Sequence, residues 1–283
     1  MPMRSDDVGN TAIMIDWVDA RGISLRCELA GEGQRTLVFL HEAGGCLESW
    51  NGVTPILQRH ARTLTYDSRG AGLSEKPVGP VTIDDLTRDL IGLLDALDLT
   101  HPVTLVGCAV GAAVSIRTAS QHPERVAALV ALSPATGIAS TEKARIQALA
   151  KRIETEGVRS RVLERFDHSY PPDYFTARDD REQVLARLLH ADPRSYAEIY
   201  RMLCDLDLSD DLPRIRAPTL VVAGRRDGTR PPAQVEAVAR AIPGARFEIL
   251  DTGHAMNILT PNLVARTVER FTGAAPNPHR LPG

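Results

Sequence analysis

The stretch Val103-Thr-Leu-Val-Gly-Cys-Ala-Val-Gly-Ala-Ala113 decides how this chain folds. Its first residues are β-branched or leucine and predict a buried strand, and the small apolar residues that follow predict a helix over 110–121. Gly107 and Gly111 flank the junction, where glycine lets the backbone turn sharply from strand to helix. Such a strand-to-helix unit is typical of a parallel sheet covered by helices.

Similar β-branched runs recur on both sides of this unit and alternate with helical patterns. They cover residues 12–17, 23–28, 36–40, 62–66, 103–106, 126–132, 219–222 and 246–250. This alternation predicts an α/β fold with a mostly parallel, eight-stranded sheet and helices on both faces. No helix separates the first two runs, so we expect them to form an antiparallel hairpin at the edge of the sheet.

One connection is much longer than a crossover helix requires. Residues 134–217 contain apolar stripes at helical spacing around Ile146, Val184 and Tyr196, so this segment should form helices of its own. We interpret 134–217 as a helical cap on a core formed by 1–133 and 218–272, with ordinary surface helices as the alternative. Residues 273–283 are rich in Pro and Gly and predict a flexible tail.

Composition favours a small-molecule partner. The net charge is -3 and the 33 Lys and Arg residues are spread along the chain, which argues against a nucleic-acid partner. The start of the chain is polar and no long apolar run follows, so we expect a cytoplasmic protein with no membrane partner. Oligomeric state stays open.

No cofactor is predicted. The four cysteines form no C-x-x-C pair, which argues against a structural metal, and no G-x-G-x-x-G follows a strand, which argues against a nucleotide or flavin.

The turn at 107–111 has the context of a nucleophile elbow, G-x-S-x-G, in which a strained turn presents the central side chain to the site. Ala109 stands where that pattern has its serine. The spacing of the two glycines alone is a weak signal, since small residues often pack helices against sheets. Other segments make it specific.

Two further segments carry a family resemblance. Residues 67–74, Asp-Ser-Arg-Gly-Ala-Gly-Leu-Ser, match a D-x-R-G-x-G-x-S loop, and residues 40–45, Leu-His-Glu-Ala-Gly-Gly, match an H-G-x-G-G loop with Glu42 in place of a glycine. From about residue 23 to 271, apart from the predicted cap, the chain resembles the α/β-hydrolase superfamily. Within it, the chain is similar to the capped lactonases, esterases and carbon–carbon hydrolases that resemble 3-oxoadipate enol-lactonase.

The resemblance implies the order nucleophile, acid, base along the chain. Asp227 ends a G-x-x-D segment after the strand at 219–222 and is the candidate acid. His254 follows the last strand and is the candidate base. The other acid position of this fold, after residue 132, holds Ser133 and Pro134, so Asp227 has no competitor.

These residues together indicate acyl transfer. His254 would take a proton from the nucleophile, Asp227 would orient the imidazole, and the backbone N–H groups of Ala43 and Val110 would hold the developing oxyanion. The function implied is hydrolysis of a small carboxylic ester, lactone or activated amide. Hydrolysis of a carbon–carbon bond in a ring-cleavage product and a non-catalytic ligand-binding role are the alternatives.

Ala109 conflicts with that chemistry, because a methyl group has no lone pair. We favour an engineered replacement of serine, since the rest of the machinery is present, and therefore expect a nearly inactive protein. A natural binding or signalling relative, and different chemistry such as cofactor-free oxygenation, are the alternatives. Cys108 lies one step from the apex of the turn and is not expected to replace the serine.

Glu42 is the clearest departure from the family pattern and a candidate substrate-binding residue. Either it points away from the site, held by a partner such as Arg69, or it faces the pocket and binds a donor group of the substrate. A carboxylate of the substrate would need a cation from the cap. The candidates are Arg152, Arg161, Arg165, Arg178 and Arg181, with solvated helix faces as the alternative.

Overall fold

The computed structural model describes residues 14–274 of the 283-residue chain. Within them one sheet runs in the order β1-β2-β4-β3-β5-β6-β7-β8. The strands are β1 (Met14–Asp19), β2 (Ser24–Ala30), β3 (Thr36–Leu40), β4 (Arg62–Tyr66), β5 (Val103–Cys108), β6 (Val126–Leu132), β7 (Thr219–Gly224) and β8 (Arg246–Leu250).

The predicted α/β architecture is confirmed. β1 and β2 form the antiparallel hairpin at one edge, β2 pairs antiparallel with β4, and every later pairing is parallel. The predicted bounds of β3, β4, β6 and β8 agree with the structure, whereas β5 and β7 each run two residues further. Residues 12 and 13 of the first predicted run lie outside the described part of the chain.

Helices cover both faces of this sheet. They are α1 (Thr54–Leu57), α2 (Ile83–Ala96), α3 (Val110–Gln121), α4 (Ser140–Glu156), α5 (Arg159–Ser169), α6 (Arg178–Leu189), α7 (Pro193–Asp205), α8 (Pro232–Ala241), α9 (Met256–Leu259) and α10 (Pro261–Ala274). The last of them includes Gly273 and Ala274, where the flexible tail was expected to begin. The rest of that predicted tail, 275–283, lies outside the described residues.

Local sequence fixes where several helices begin. The Thr82 hydroxyl accepts the Asp85 N–H at 3.1 Å, and the Asp85 carboxylate accepts the Thr82 N–H at 2.9 Å, so α2 starts at a capping box. Asp192 caps α7 by accepting the Ser195 N–H at 2.8 Å, and Pro193 occupies the first helical position.

Helices α4 to α7 lie between β6 and β7 and are referred to as the inserted helices. They share an apolar cluster, which includes Ile153, Phe166 and Leu188, with Ala255 and Leu259 of the segment after β8. The inserted helices therefore pack directly against the residues that follow His254. The division of the chain into a core and a cap domain stays a prediction.

Strand order places the site. β3 pairs with β4 on one side and with β5 on the other. The connection from β3 to β4 therefore runs towards one edge of the sheet, and the connection from β4 to β5 crosses back towards the other edge. Ligands of open parallel sheets bind outside the carboxyl ends of the strands at such a switch point. The residues that follow β3 and β5 meet there.

Candidate active site

The turn between β5 and α3 is strained at its apex. Ala109 has φ 51 and ψ -107, a region that residues with a side chain rarely adopt. A Cβ on Gly107 would collide with the backbone of Gly111, and one on Gly111 would collide with the backbone of Leu40. Both positions therefore require glycine, because two backbone segments approach each other closely there.

Hydrogen bonds hold this apex in place. The Ala109 N–H donates to the Leu132 carbonyl at 2.9 Å, and the Ala109 carbonyl accepts the N–H groups of Ala135 at 3.0 Å and Ala113 at 3.2 Å. These hydrogen bonds fix the strained conformation of the turn, which has a methyl group as its central side chain.

The structure brings the candidate acid and base together. His254 Nδ1 lies 2.8 Å from Asp227 Oδ2, and Asp227 Oδ1 accepts the backbone N–H groups of Thr229 and Arg230, each at 2.8 Å. Burial alone would raise the pKa of Asp227, but the hydrogen bonds from His254 and the Arg230 backbone outweigh it, so the pKa lies below its usual value. With Nδ1 engaged, Nε2 is the nitrogen that His254 can offer to a substrate.

The loop after β3, residues 41–46, forms a turn in which the Gly45 N–H donates to the Glu42 carbonyl at 3.0 Å. Ala43 and Gly44 are the central residues of this β3 loop, and Gly44 has φ 77. Val110 is the first residue of α3, so its N–H belongs to the donors that a helix leaves free at its start. The two predicted oxyanion donors thus lie on adjacent segments at the switch point.

Glu42 is buried, with 5% of its surface exposed, and it is one of the residues that line the cavity described below. Its carboxylate lies against Gly45 of this turn, where a Cβ would come within 2.6 Å of Oε1. Its carboxylate accepts the Ser49 hydroxyl at 2.9 Å and the Asn257 amide at 3.1 Å. The suggestion that Arg69 holds Glu42 is wrong, because Arg69 forms a bidentate ion pair with Asp89 at 2.6 and 2.5 Å. Because this ion pair is bidentate and the Asp89 carboxylate is buried, the Arg69 guanidinium is not free to bind Glu42.

A cavity of ≈ 500 Å³ opens between the β3 loop and helices α6 and α7. Ala43, Val110, Gly111 and Val114 are among the residues that line it. The cavity therefore reaches both predicted oxyanion donors, and its body extends under the inserted helices.

None of the five candidate arginines lines this cavity, which agrees with the alternative that they lie on the helix surfaces. Four of them have partners on the inserted helices: Arg152 with Glu164, Arg178 with Glu182, Arg181 with Asp167 and Arg161 with the Tyr200 hydroxyl. The fifth, Arg165, is also absent from the cavity wall. Arg187 of α6 lines the cavity instead, a residue that the sequence pattern did not single out.

Sequence patterns assigned no site role to Ser49 and Asn257, and they placed Tyr196 only in an apolar helical stripe. The first two hold Glu42, and the Tyr196 ring packs against Gly44, where a Cβ would come within 3.2 Å of it. Their only signal is position, since Asn257 follows His254 by three residues and Ser49 lies just after the β3 loop.

One group of possible metal ligands occurs among the described residues. The ligand atoms of Cys46, Glu48 and Asp67 lie within 4.8 Å of one another. The Arg26 guanidinium lies 2.6 Å from Glu48 and 3.4 Å from Asp67, so an arginine already supplies the positive charge there. In the same described part of the chain, no helix is long and apolar enough to span a membrane.

Residues 37–267 match the model of the alpha/beta hydrolase family. The chain belongs to this family. A curated relative of this α/β hydrolase is 3-oxoadipate enol-lactonase 2 of Acinetobacter baylyi, which is 27% identical over 259 residues, 90% of this chain and 95% of the relative.

Solved structures agree with this membership. The enol-lactonase of Burkholderia xenovorans LB400 superimposes with a TM-score of 0.85 at 29% identity, over 91% of this α/β hydrolase and 100% of that chain. A thermophilic esterase of Thermogutta terrifontis superimposes with a TM-score of 0.83 at 26% identity, over 94% of this chain and 98% of that one.

Proposed function

We propose that this α/β hydrolase is built for acyl transfer on a small carboxylic ester, lactone or activated amide, and that Ala109 occupies the place of its nucleophile. The observation that carries the proposal is the 2.8 Å contact between Asp227 and His254 beside a strained elbow. The relatives named as enol-lactonases and esterase support the same class of substrate.

Each group has a role in this reaction. His254 Nε2 would accept the proton of a serine hydroxyl at position 109, while Asp227 fixes the tautomer of the ring and stabilises the imidazolium. The N–H groups of Ala43 and Val110 would hold the oxyanion of the tetrahedral intermediate. No metal or organic cofactor takes part in any of these steps.

With alanine at position 109 no acyl-enzyme can form. Loss of the serine in a comparable triad lowers turnover by a factor on the order of 10⁶. The same groups could cleave a carbon–carbon bond next to a carbonyl. A binding role without catalysis is the second candidate, and the observation that favours it is the cavity of ≈ 500 Å³ lined by Val110, the residue after Ala109.

The test is the substitution Ala109→Ser. Activated esters, lactones and amides should be hydrolysed by the serine form with a burst equal to the enzyme concentration, and intact mass spectrometry should detect the acyl-enzyme. The matched control is Ala109→Ser with His254→Ala, which keeps the hydroxyl and removes its base. If the serine form folds normally and stays at the buffer rate across the panel, the proposal is wrong and the binding role gains.

A further inference from the structure

An elbow without a nucleophile still leaves a base and a pair of oxyanion donors. His254 is held by Asp227 at 2.8 Å, and its side chain keeps 24% exposure, so a substrate can reach it. Ala43 and Val110 lie on adjacent segments and both line the cavity. The segment of His254 lies next to the turn that carries Val110, because the Cys108 thiol donates to the His254 carbonyl at 3.8 Å. A base and two N–H donors are the groups needed to remove a proton from the carbon next to a carbonyl.

We propose that this chain catalyses such a proton abstraction: it converts β,γ-unsaturated lactones or esters into their conjugated isomers through an enolate. The inference rests on the carbonyl site of the proposed function but needs no nucleophile. It assigns an activity to the residues as they stand, with Ala109 at the apex.

The step balances as follows. The C–H bond next to the carbonyl breaks, and its proton goes to His254 Nε2. The electron pair of that bond forms a carbon–carbon double bond, while the carbonyl oxygen becomes an enolate oxygen held by the N–H groups of Ala43 and Val110. The imidazolium then returns a proton to the γ carbon, which gives the conjugated product and restores the base.

Charges around the base favour the first half of this step. Asp227 keeps its negative charge in the interior, because three hydrogen bonds hold its carboxylate, and it stabilises the imidazolium that forms. Glu42 lines the same cavity, and its carboxylate accepts hydrogen bonds from the Ser49 hydroxyl and the Asn257 amide, which partly compensate its negative charge.

Attack of an activated water molecule on the substrate carbonyl is less well supported by the residues at the apex of the turn. A bound water needs about two to four polar partners, and the Ala109 methyl supplies none. A carbonyl oxygen, by contrast, finds two donors within the cavity wall. Proton abstraction therefore uses the groups that the site retains.

The inserted helices complete the environment. They cover the cavity above the β3 loop, with Ile199 and Tyr196 of α7 in its wall and Val114 and Leu86 on the opposite side. These four apolar residues line the cavity together with polar ones such as Arg187, and the apolar surface they contribute strengthens nearby hydrogen bonds to an enolate.

The experiment uses α-angelica lactone and the open-chain ester methyl vinylacetate in D₂O, followed by ¹H NMR. Proton abstraction yields the conjugated isomer, with deuterium at its γ carbon once the imidazolium N–H has exchanged with D₂O, whereas hydrolysis yields the open acid. We expect the chain to accelerate isomerisation by roughly 10²- to 10⁴-fold over buffer. His254→Gln, which keeps a polar side chain without a base, should lose this acceleration.

A matched control is His122→Ala, at the far end of α3, which should keep the full rate. Thermal unfolding of each variant shows that the comparison is between folded proteins. If the chain stays at the buffer rate while Ala109→Ser hydrolyses the same probes, the inference is overturned and the proposed function stands.

Two other results would also overturn it. If the Ala109 form hydrolyses the probes without deuterium incorporation, His254 activates a water molecule and does not remove a proton from the substrate. Inactivity of both the alanine and the serine form, in folded protein, would remove the inference together with the proposed function.

Discussion

The side-chain amide of Asn257 donates a 3.1 Å hydrogen bond to the Glu42 carboxylate, across 215 positions of sequence. The same amide donates to the Ser49 carbonyl at 3.1 Å, and the Ser49 hydroxyl donates to Glu42 at 2.9 Å. These contacts join the β3 loop, which carries Ala43, to the segment that carries His254. A carboxylate at position 42 thereby ties the candidate oxyanion donor to the candidate base.

We predict that Glu42→Ala destabilises the protein, because it leaves the Ser49 hydroxyl and one N–H of the Asn257 amide buried without an acceptor. Unsatisfied buried groups cost about 1–3 kcal/mol each, so the free energy of unfolding in urea should fall by at least that amount. Glu236→Ala, which removes an exposed i,i+4 pair with Arg240, should change it by less than about 0.5 kcal/mol. Equal stability of the two variants would show that the link between the loops is dispensable.

We predict that Ala109→Gly, at the strained apex of the turn, stabilises the protein, in contrast to Glu42→Ala. Glycine adopts positive φ without the steric cost of a Cβ, which is on the order of 1–3 kcal/mol, and this gain exceeds the added entropy of the unfolded chain. The variant should therefore be more stable by about 1 kcal/mol. Ala113→Gly, one turn further along α3, should be less stable by about 1 kcal/mol. A loss of stability in both variants would mean that the apex carries no strain.

The lowered pKa of Asp227 predicts how the free energy of unfolding depends on pH. The pKa of Asp227 is lower in the folded state than the value of about 3.9 expected in the unfolded chain. Its charge therefore stabilises the protein fully above about pH 3.9, and this contribution is lost as pH falls through the pKa of the folded state. Asp227→Asn should lower the free energy of unfolding at pH 7, and the difference from the parent should shrink below about pH 4. Asp251→Asn, at an exposed ion pair with Arg226, is the control. A difference that stays constant with pH would contradict the lowered pKa.

Thiol chemistry gives a fourth prediction. All four cysteines are free and buried, and burial raises the pKa of Cys27 to about 11 and that of Cys108 well above its usual value. Ellman's reagent at pH 8 should therefore find almost no reactive thiol in the folded protein and four after denaturation, since the thiolate is the reactive form. Fast reaction of one thiol in the native state would point to an accessible Cys108 and reopen its role at the elbow.

Local sequence was sufficient to place the strands because most of them are short, largely apolar runs bounded by turns. β3, β4, β6 and β8 end where their patterns end. β5 and β7 continue for two residues, Gly107 to Cys108 and Ala223 to Gly224, which have little strand preference of their own. Pairing with a neighbour on each side extends them, and a single-sequence pattern does not contain that information.

Pairings across the site could not be predicted in the same way. Arg69 was placed near Glu42 by proximity in the resembled loops, yet Asp89 on α2 offers it a bidentate carboxylate. Glu42 finds its partners on two segments whose relative position only the folded sheet determines. Arg187 escaped notice because helical periodicity gives the apolar stripe of α6 and leaves open which polar residue borders a cavity.

The position of the inserted helices has a consequence for synthesis on the ribosome. β6 is complete at Leu132, but its neighbour β7 begins only at Thr219, so during translation the strand Val126–Leu132 is an open apolar edge while the whole insertion is made. Exposed edges of this kind recruit other chains. A ribosome that stalls within the insertion would release an aggregation-prone fragment, which holds the elbow but lacks Asp227 and His254.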